Sequence, residues 1–411
     1  MDLDLVFLGT SGSMPTARRA PTALLVRRGG ERLLFDCAEG TQRQLLRSSV
    51  GLVELREVFL THYHADHYLG LPGMLKTFAL RGRELPISIY GPPGLAELFA
   101  ALRRIFGKLT YRYELVELAP GESIERGDYR LQTFPVAHGV SALGYALVEE
   151  ERPGRFDVAA ADALGVPAGP ERGVLQAGEA VTLADGRTVT PGEVLGPARP
   201  GRKVVLAGDT SPARSVLEAA LGADVLVHEA TFCEEESERA RETEHSTAAD
   251  AARLARDAGV RLLALTHLSS RYFGPEVARE ARAIFPEAVV PKDFDIIDVR
   301  FQERGGPRLV KGGALHRRTE ATTGPAGSNR RGDAMTRIVQ VALAEDVTEA
   351  EEIKTILRSA GIDAELESAV DHHPRETDDA PQKVLVPETS LEAAQHAIEA
   401  MTDPDELLGD A

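Results

Sequence analysis

The sequence predicts an α/β fold in which two β-sheets pack between helices, with one long irregular insertion and a small C-terminal α+β module. Two observations predict the sandwich. Short apolar strands follow one another in the first 150 residues, whereas strands and helices alternate from Val204 onward. A third observation, histidines and aspartates that follow the ends of apolar strands, indicates where a functional site lies.

Strands in the first 150 residues are predicted from apolar runs and from alternation of apolar and polar side chains. They lie at Leu3–Leu8, Ala23–Arg27, Leu33–Asp36, Glu57–Leu60, Ile87–Tyr90, Glu114–Leu118, Tyr129–Pro135 and Gly144–Val148. Helical spacing predicts helices at Leu69–Arg81 and Leu95–Ile105, and the GPPG stretch at 91–94 predicts a turn before the second helix.

The second half of the main domain alternates between the two element types. Strands are predicted at Val204–Ala207, Val225–Val227 and Leu262–Thr266, and helices at Arg214–Ala220, Ser246–Ala258 and Glu276–Ile284. Because such alternation is typical of sheets covered by helices, we expect residues 1–303 to form one layered domain.

Three segments depart from this pattern. Residues 150–202 are rich in Gly and Pro and show no sustained period, so we predict a long irregular insertion that is either functional or a floppy surface loop. Residues 304–335, rich in Gly and Arg, predict a flexible basic linker. Residues 336–411 predict a small acidic α+β domain, with strands at Ile338–Leu343, Asp363–Ser368 and Lys383–Val386 and helices at Thr348–Ala360 and Ser390–Met401.

The charge of the chain is unevenly distributed. Its formal net charge is −17, but residues 336–411 contain 19 acidic and 5 basic residues. The first 335 residues therefore carry 45 acids against 42 bases. The main domain is free to present a basic surface, so the overall charge does not exclude a nucleic-acid substrate.

The sequence also predicts a cytoplasmic protein with no membrane segment. No run of about 18 apolar residues is present. The N-terminal MDLDLVFLGT is acidic and enters a strand pattern directly, unlike a signal peptide. Cys37 and Cys233 are far apart and lack a partner motif, so we interpret both as small core residues in a reducing compartment.

A dense group of potential metal ligands lies in the segment THYHADHYLG, residues 61–70. It contains His62, His64, Asp66 and His67, directly after an apolar strand. Three further candidates, His138, Asp209 and His267, also follow apolar strands. Imidazole and carboxylate together suit zinc and similar divalent ions, and strand ends hold such groups rigidly. The sequence therefore predicts a metal site with one or two ions.

The order of these residues resembles the metallo-β-lactamase superfamily and, within it, the tRNase Z family. The motifs that carry the resemblance span residues 1–303: FLGTSGSMPT near the start, FDCAEGTQRQL at 35–45, HEAT at 228–231, EHST at 244–247 and LTHLSSRY at 265–272. The resemblance implies an αβ/βα sandwich and an endoribonuclease that removes the 3′ trailer from precursor tRNA. Cleavage would follow the discriminator base and leave a 3′-hydroxyl on the tRNA.

The resemblance also implies specific roles for the candidate residues. One zinc ion would be held by His62, His64 and His138. A second would be held by Asp66, His67 and His267, with Asp209 bridging the two. Asp66 would accept the proton of the attacking water, and His245, oriented by Glu229, would donate one to the leaving oxygen.

The resemblance also implies that residues 150–202 form a protruding flexible arm, and substrate contacts are expected on this arm and near the first strand. In the family a Gly-Pro motif on the arm grips the tRNA, usually across a homodimer; here it corresponds to Gly169 and Pro170. Arg155 and Arg172 on the same arm are candidate phosphate contacts, or else solvated loop charges. The family's P-x-K-x-R-N loop corresponds to Pro15–Ala20 here, which lacks the lysine and the asparagine, and Arg18 or Arg19 would replace the lost cation. Arg271 is a further candidate.

Two alternatives remain open at this point. The first is another hydrolase of the same fold, acting on small phosphodiesters or sulfate esters. The second is a metal-bound RNA-binding or regulatory protein governed by its acidic C-terminal region. That region weakly resembles small prokaryotic signal-transducing-type domains, a likeness that implies no chemistry.

Overall fold

The computed structural model describes residues 1–48, 50–52, 55–312, 338–344, 347–359, 361–368, 382–387, 390 and 393–394. The chain divides into two compact units, Met1–Thr323 and Gly324–Ala411. None of the described helices is both long and apolar enough to cross a membrane.

The first unit contains the following strands: β1 Leu3–Gly9, β2 Ala23–Arg28, β3 Glu31–Phe35, β4 Glu57–Phe59, β5 Ile87–Gly91, β6 Tyr113–Glu117, β7 Ser123–Glu125, β8 Tyr129–Pro135, β9 Leu143–Glu149, β10 Val181–Thr182, β11 Thr188–Val189, β12 Lys203–Leu206, β13 Val225–Glu229, β14 Leu262–Thr266, β15 Ala288–Val289, β16 Ile296–Asp298 and β17 Arg308–Val310. Its α-helices are α1 Thr41–Arg47, α2 Ala65–Tyr68, α3 Gly70–Leu80, α4 Leu95–Phe106, α5 Val158–Ala163, α6 Pro170–Gln176, α7 Arg214–Ala220, α8 Ser237–Glu242, α9 Ala248–Ala258 and α10 Gly274–Arg282.

These strands form two large mixed sheets. The first has the order β17-β16-β1-β2-β3-β4-β5-β6, and the second the order β15-β14-β13-β12-β9-β8-β7. Because successive side chains of a strand point to opposite faces, each sheet packs against the other sheet on one face and against helices on the other. In β1, Leu5 and Phe7 face the core shared by the sheets, whereas Val6 and Leu8 face the core under α1, α3 and α4.

The second sheet mirrors this arrangement. Its outer face packs on α7, α9 and α10 through small residues such as Ala251 and Ala255. Its inner face contributes Tyr145, Val204 and Val227 to the core between the sheets. The order of layers is therefore helix, sheet, sheet, helix, which confirms the predicted α/β sandwich.

Most predicted elements appear with ends shifted by a few residues, and β8, α7 and β14 coincide with their predictions. Two differ in kind. Helix α1 was not predicted, because a seven-residue helix with three buried residues shows little period. The predicted basic linker differs at its start, where Arg308–Val310 pairs with Ile296–Asp298 as an edge strand.

The arm at 150–202 is more regular than its composition predicts. It contains α5, α6 and the two-stranded pair β10–β11. It also has a small core of its own, formed by Ala161, Val166, Leu175, Val189 and Val194. Helices of six or seven residues and strands of two are too short to produce a recognisable period, so the sequence resembles an irregular loop.

The second unit contains β18 Ile338–Ala344, α11 Val347–Ser359, β19 Glu365–Ser368 and β20 Gln382–Pro387. The strands form an antiparallel sheet of order β18-β20-β19. Buried residues from the helix and the central strand, including Leu357 and Val384, form its core. Most of the second helix predicted here, Ser390–Met401, lies outside the described residues.

Candidate metal centre

Four candidate ligands follow a single strand of the first sheet. Strand β4 ends at Phe59, and the chain then leaves the sheet in a loop that carries His62 and His64. Asp66 and His67 lie directly after this loop, in the one-turn helix α2. His62 and His67 are buried, Asp66 is half-buried and His64 is exposed.

Three further candidates follow strands of the second sheet. His138 and Asp209 lie three residues beyond β8 and β12, and His267 directly follows β14. β8 and β12 are each antiparallel to β9, and β12, β13 and β14 are mutually parallel, so these strands end at one edge of the sheet. All seven predicted ligands therefore converge between the two sheets.

Three histidines form one part of the cluster. The ring centroids of His62 and His64 are 4.6 Å apart, and each is 4.9 Å from that of His138. His138 donates from Nδ1 to the carbonyl of Glu244 at 3.1 Å, so that its Nε2 lies 3.1 Å from Nδ1 of His64. Two ring nitrogens at this separation need a proton or a cation between them.

Two carboxylates and two histidines form the other part. Nε2 of His267 lies 3.3 Å from Oδ2 of Asp66 and 3.1 Å from Oδ2 of Asp209. Nε2 of His67 is 3.2 Å from the same Asp209 oxygen, without hydrogen-bond alignment. That oxygen is also 4.0 Å from Nε2 of His62, so Asp209 faces both parts of the cluster.

The residues fit a bound metal. Nε2 of His62 and of His67 is buried without a hydrogen-bond partner in the described part of the chain, which is costly unless a cation binds there. Five groups, each with ligand atoms within 4.8 Å of one another, lie here. Three consist of predicted ligands, His62–His64–His138, His62–His67–Asp209 and Asp66–His67–His267, and two include His245, namely His138–Asp209–His245 and Glu229–His245–His267. Because imidazole and carboxylate donors are those of divalent metal sites, we conclude that this edge binds metal.

Asp36, which the sequence analysis did not single out, orients two of the rings. Buried at positive φ, it accepts hydrogen bonds from Nδ1 of His67 at 2.8 Å and from the backbone N–H of Thr61 at 2.8 Å. The Thr61 hydroxyl donates to Asp36 and accepts from Nδ1 of His62 at 3.0 Å. Both histidines are thereby turned with Nε2 toward the cluster, as metal-binding rings require.

Thr231 has the same role for His267. Its hydroxyl donates to Oε2 of Glu229 at 2.5 Å and accepts from Nδ1 of His267 at 2.9 Å. The signal for this contact was present in HEAT, residues 228–231, but its threonine was not singled out. Both Glu229 and Thr231 are buried.

His245 lies beside the ligand cluster and pairs with Glu229. Its Nδ1 donates to Oε1 of Glu229 at 2.8 Å, and its ring stacks on that of His267 at 5.5 Å. Burial lowers the pKa of His245, but the hydrogen bond and charge of Glu229 outweigh it and raise the pKa to about 9. In the metal-free site this pKa favours the protonated imidazole at neutral pH, which is the form that can act as an acid.

The charge state of the metal-free cluster suits its ligand chemistry. Burial lowers the pKa of His62 to about 2. Burial of Asp209 favours its neutral form, but the neighbouring His267 and His67 hold its pKa well below the ordinary value. His67 is opposite: although burial lowers its pKa, Asp209 and Asp36 raise it well above normal. Metal binding at His67 must therefore displace a proton.

The loop after β1 forms one wall of the site. The backbone N–H of Ser13 donates to Oδ2 of Asp66 at 2.8 Å. At the neighbouring Gly12, a Cβ would lie 2.6 Å from Nδ1 of His267. Glycine is thus required for the close approach of this loop to the ring.

The two candidate substrate cations near the site have protein partners. Arg19 donates from one nitrogen to Oγ1 of Thr10 at 2.6 Å and to the carbonyl of Pro291 at 2.8 Å. These bonds fasten the Pro15–Ala20 loop, which makes Arg19 an internal anchor. Arg271 lies 3.5 Å from Glu236, with its side chain 44% exposed.

The four candidate arm residues lie in different settings. Gly169 and Pro170 start α6, with Pro170 in the first turn, where its missing N–H is not needed. Arg172 donates to Asp162 and to the carbonyl of Val166 at 2.8 Å, which ties α6 to the end of α5. Arg155 is exposed.

Comparison with known proteins gives consistent matches. Residues 17–267 match the family model of the metallo-β-lactamase superfamily. Ribonuclease Z from Methanosarcina acetivorans is 44% identical over 304 residues, covering 73% of this chain and 99% of the relative. Ribonuclease Z from Myxococcus xanthus is 51% identical over 271 residues, covering 66% and 88%. The crystal structure of human tRNase Z, short form, superposes with a TM-score of 0.53 at 27% identity, covering 72% of this chain and all of that one.

Proposed function

The chain belongs to the ribonuclease Z family of the metallo-β-lactamase superfamily, and on that premise we propose that it is a zinc-dependent endoribonuclease that removes the 3′ trailer of precursor tRNA. It cleaves after the discriminator base and leaves a 3′-hydroxyl on the tRNA. The observation that carries the proposal is the convergence of seven metal-type side chains beside a hydrogen-bonded histidine–glutamate pair.

We assign the ligands as two sets that share one carboxylate. His62, His64 and His138 form the first set, and Asp66, His67 and His267 the second. Asp209 belongs to both, which the contacts of its Oδ2 atom with His62, His67 and His267 support. Two zinc ions held there would supply an activated water and stabilise the charge on the attacked phosphate.

The protein's own groups move the protons. Asp66, whose Oδ2 is held by the Ser13 N–H, accepts the proton of the attacking water. His245 donates from Nε2 to the leaving 3′ oxygen of the tRNA, because its Nδ1 is engaged by Glu229. Glu229 is a positioning residue that keeps this imidazole charged and oriented.

Precursor tRNA is bound by the arm. In the proposed homodimer, the arm of one subunit holds the tRNA that is cleaved by the other subunit. Gly169 and Pro170 present the N-terminal turn of α6. Arg155 is the arm cation best suited to a phosphate, because it is exposed, whereas Arg172 is engaged within the arm.

The two cysteines form no disulfide, which supports a reducing cytoplasmic location.

Deletion of the arm separates this function from hydrolysis of small phosphodiesters. Residues 155–195 can be removed across a short gap, since the arm's two chains meet where Gly196 donates its backbone N–H to the carbonyl of Arg155 at 2.9 Å. Cleavage of precursor tRNA should be lost, while hydrolysis of bis(p-nitrophenyl) phosphate and metal content are retained. Unchanged tRNA cleavage would refute the role of the arm.

A further inference from the structure

The two segments at the base of the arm, one after β9 and one before β12, leave the second sheet as an irregular ribbon. β9 and β12 are paired, and the pairing continues through Arg152 and Arg199, which exchange backbone hydrogen bonds of 2.7 and 2.8 Å. At Gly154, a Cβ would lie 1.9 Å from the carbonyl oxygen of Gly196, so the two backbones are in direct contact. A ribbon with so few regular pairs does not by itself fix the direction of the arm.

The segment that follows β16 packs against the base of this ribbon. Two guanidinium groups lie over the ring of Phe301. Their carbons are 3.4 Å (Arg152) and 4.3 Å (Arg202) from the ring centroid. Arg202 is itself buried, donating to Glu149 at 2.6 and 2.8 Å and to the carbonyl of Val299 at 3.0 Å. Phe301 therefore joins an arginine from each chain of the arm to the body of the domain.

Glu303 completes the attachment two residues later. It accepts two hydrogen bonds from Arg152, at 2.8 and 3.2 Å, and a third from Arg199 at 3.2 Å. The paired Arg152 contact has the bidentate geometry of strong arginine–carboxylate pairs. The hydrogen bonds from Arg152 lower the pKa of Glu303 to about 2, so this carboxylate stays charged.

We propose that Phe301 and Glu303 are positioning residues that hold the arm in the orientation that binds precursor tRNA. The inference rests on the proposed function. Neither residue belongs to the metal cluster. The arginines they contact are engaged at the base of the arm and are therefore unavailable for phosphates. If releasing the base reduces the binding-competent orientation to about a tenth of the population, the KM for tRNA rises about tenfold.

The test compares Phe301→Ala and Glu303→Ala with Glu218→Ala in the full-length, zinc-loaded protein. Glu218 is a matched control, since it forms an exposed ion pair with Arg214 on α7. For the first two variants we expect the KM for a 3′-extended precursor tRNA to rise about tenfold with kcat within about twofold. Hydrolysis of bis(p-nitrophenyl) phosphate should not change, and neither should the control variant.

Two further readouts distinguish orientation from a general structural role. Amide hydrogen exchange at Arg152 and Arg199 should accelerate while the rest of the sheet stays protected. The Arg152→Ala/Glu303→Ala double variant should raise KM by less than the product of the single effects, because both remove one contact.

An unchanged KM, or an equal fall in activity on both substrates, would overturn the positioning role. Failure of the unsubstituted protein to cleave precursor tRNA would refute the function itself, and this inference with it.

Discussion

Replacement of Asp36 by asparagine should weaken metal binding without unfolding the protein. The carboxylate accepts the Nδ1–H of His67 at 2.8 Å, which leaves the lone pair of Nε2 facing the metal site. In Asp36→Asn one oxygen can still accept from Thr61, but the new NH₂ group faces the ring. It would donate to Nδ1 and move the proton of His67 to Nε2, where the metal must bind.

The size of the effect follows from the number of ligands affected. Only one of seven ligands is directly misoriented, and loss of such an outer contact typically costs 10- to 100-fold in metal affinity. This range corresponds to about 1.4–2.8 kcal/mol. Competition titration with a chromophoric zinc chelator measures it directly.

Asp4→Asn is the matched control for this experiment, because Asp4 is a part-buried carboxylate that pairs with Arg27 and makes no contact with the cluster among the described residues. Its zinc affinity should equal that of the unsubstituted protein. An Asp36→Asn protein that binds zinc within about twofold of the original would refute the tautomer argument.

Three other predictions address separate parts of the molecule. Gly12→Ala should lose most of its bound zinc while remaining folded, because a Cβ 2.6 Å from Nδ1 of His267 displaces that ring; full zinc content by elemental analysis would contradict this. His245→Gln should lower kcat on precursor tRNA about 10²- to 10⁴-fold with unchanged zinc content. A kcat within about threefold of that of the unsubstituted protein would exclude His245 as the acid. Glu149→Gln should destabilise the domain by about 3 kcal/mol in urea denaturation, because it breaks a buried pair with Arg28 and Arg202. Burial raises the pKa of Glu149, but the hydrogen bonds and charges of Arg202 and Arg28 outweigh burial, so the pKa is lowered overall. Its contribution is therefore present above the ordinary glutamate pKa of about 4.3 and lost as the pH falls through the folded-state value; equal acid sensitivity of both proteins would contradict this.

The ligand cluster could be predicted from sequence because each member lies within about eight residues after the end of an apolar strand. His138, Asp209 and His267 are far apart in the chain, but strands that run in the same direction bring their ends to one edge. The assignment of these residues to two metal ions stays a prediction, as does the general-acid role of His245.

The contacts that support the site could not be predicted in the same way. Asp36 looks like the polar end of an apolar strand, and only its position beside His67 in three dimensions reveals its contact. The base of the arm depends on Phe301 and Glu303; Glu303 lies 151 residues beyond Arg152 and 104 residues beyond Arg199 in the chain. Arg172 and Arg19 were candidates for phosphate contact, and the structure gives both of them internal partners. Hydrogen bonding to nearby carbonyls leaves no signature in the sequence.

The most direct test of the central claim is to map both product ends after incubation of the zinc-loaded protein with a 3′-extended precursor tRNA. The proposed function predicts a single cut after the discriminator base, with a 3′-hydroxyl on the tRNA and a 5′-phosphate on the trailer. The cut should be lost on chelation, restored by zinc and absent in His64→Ala. A zinc-loaded protein that hydrolyses bis(p-nitrophenyl) phosphate but leaves the precursor intact would contradict the claim.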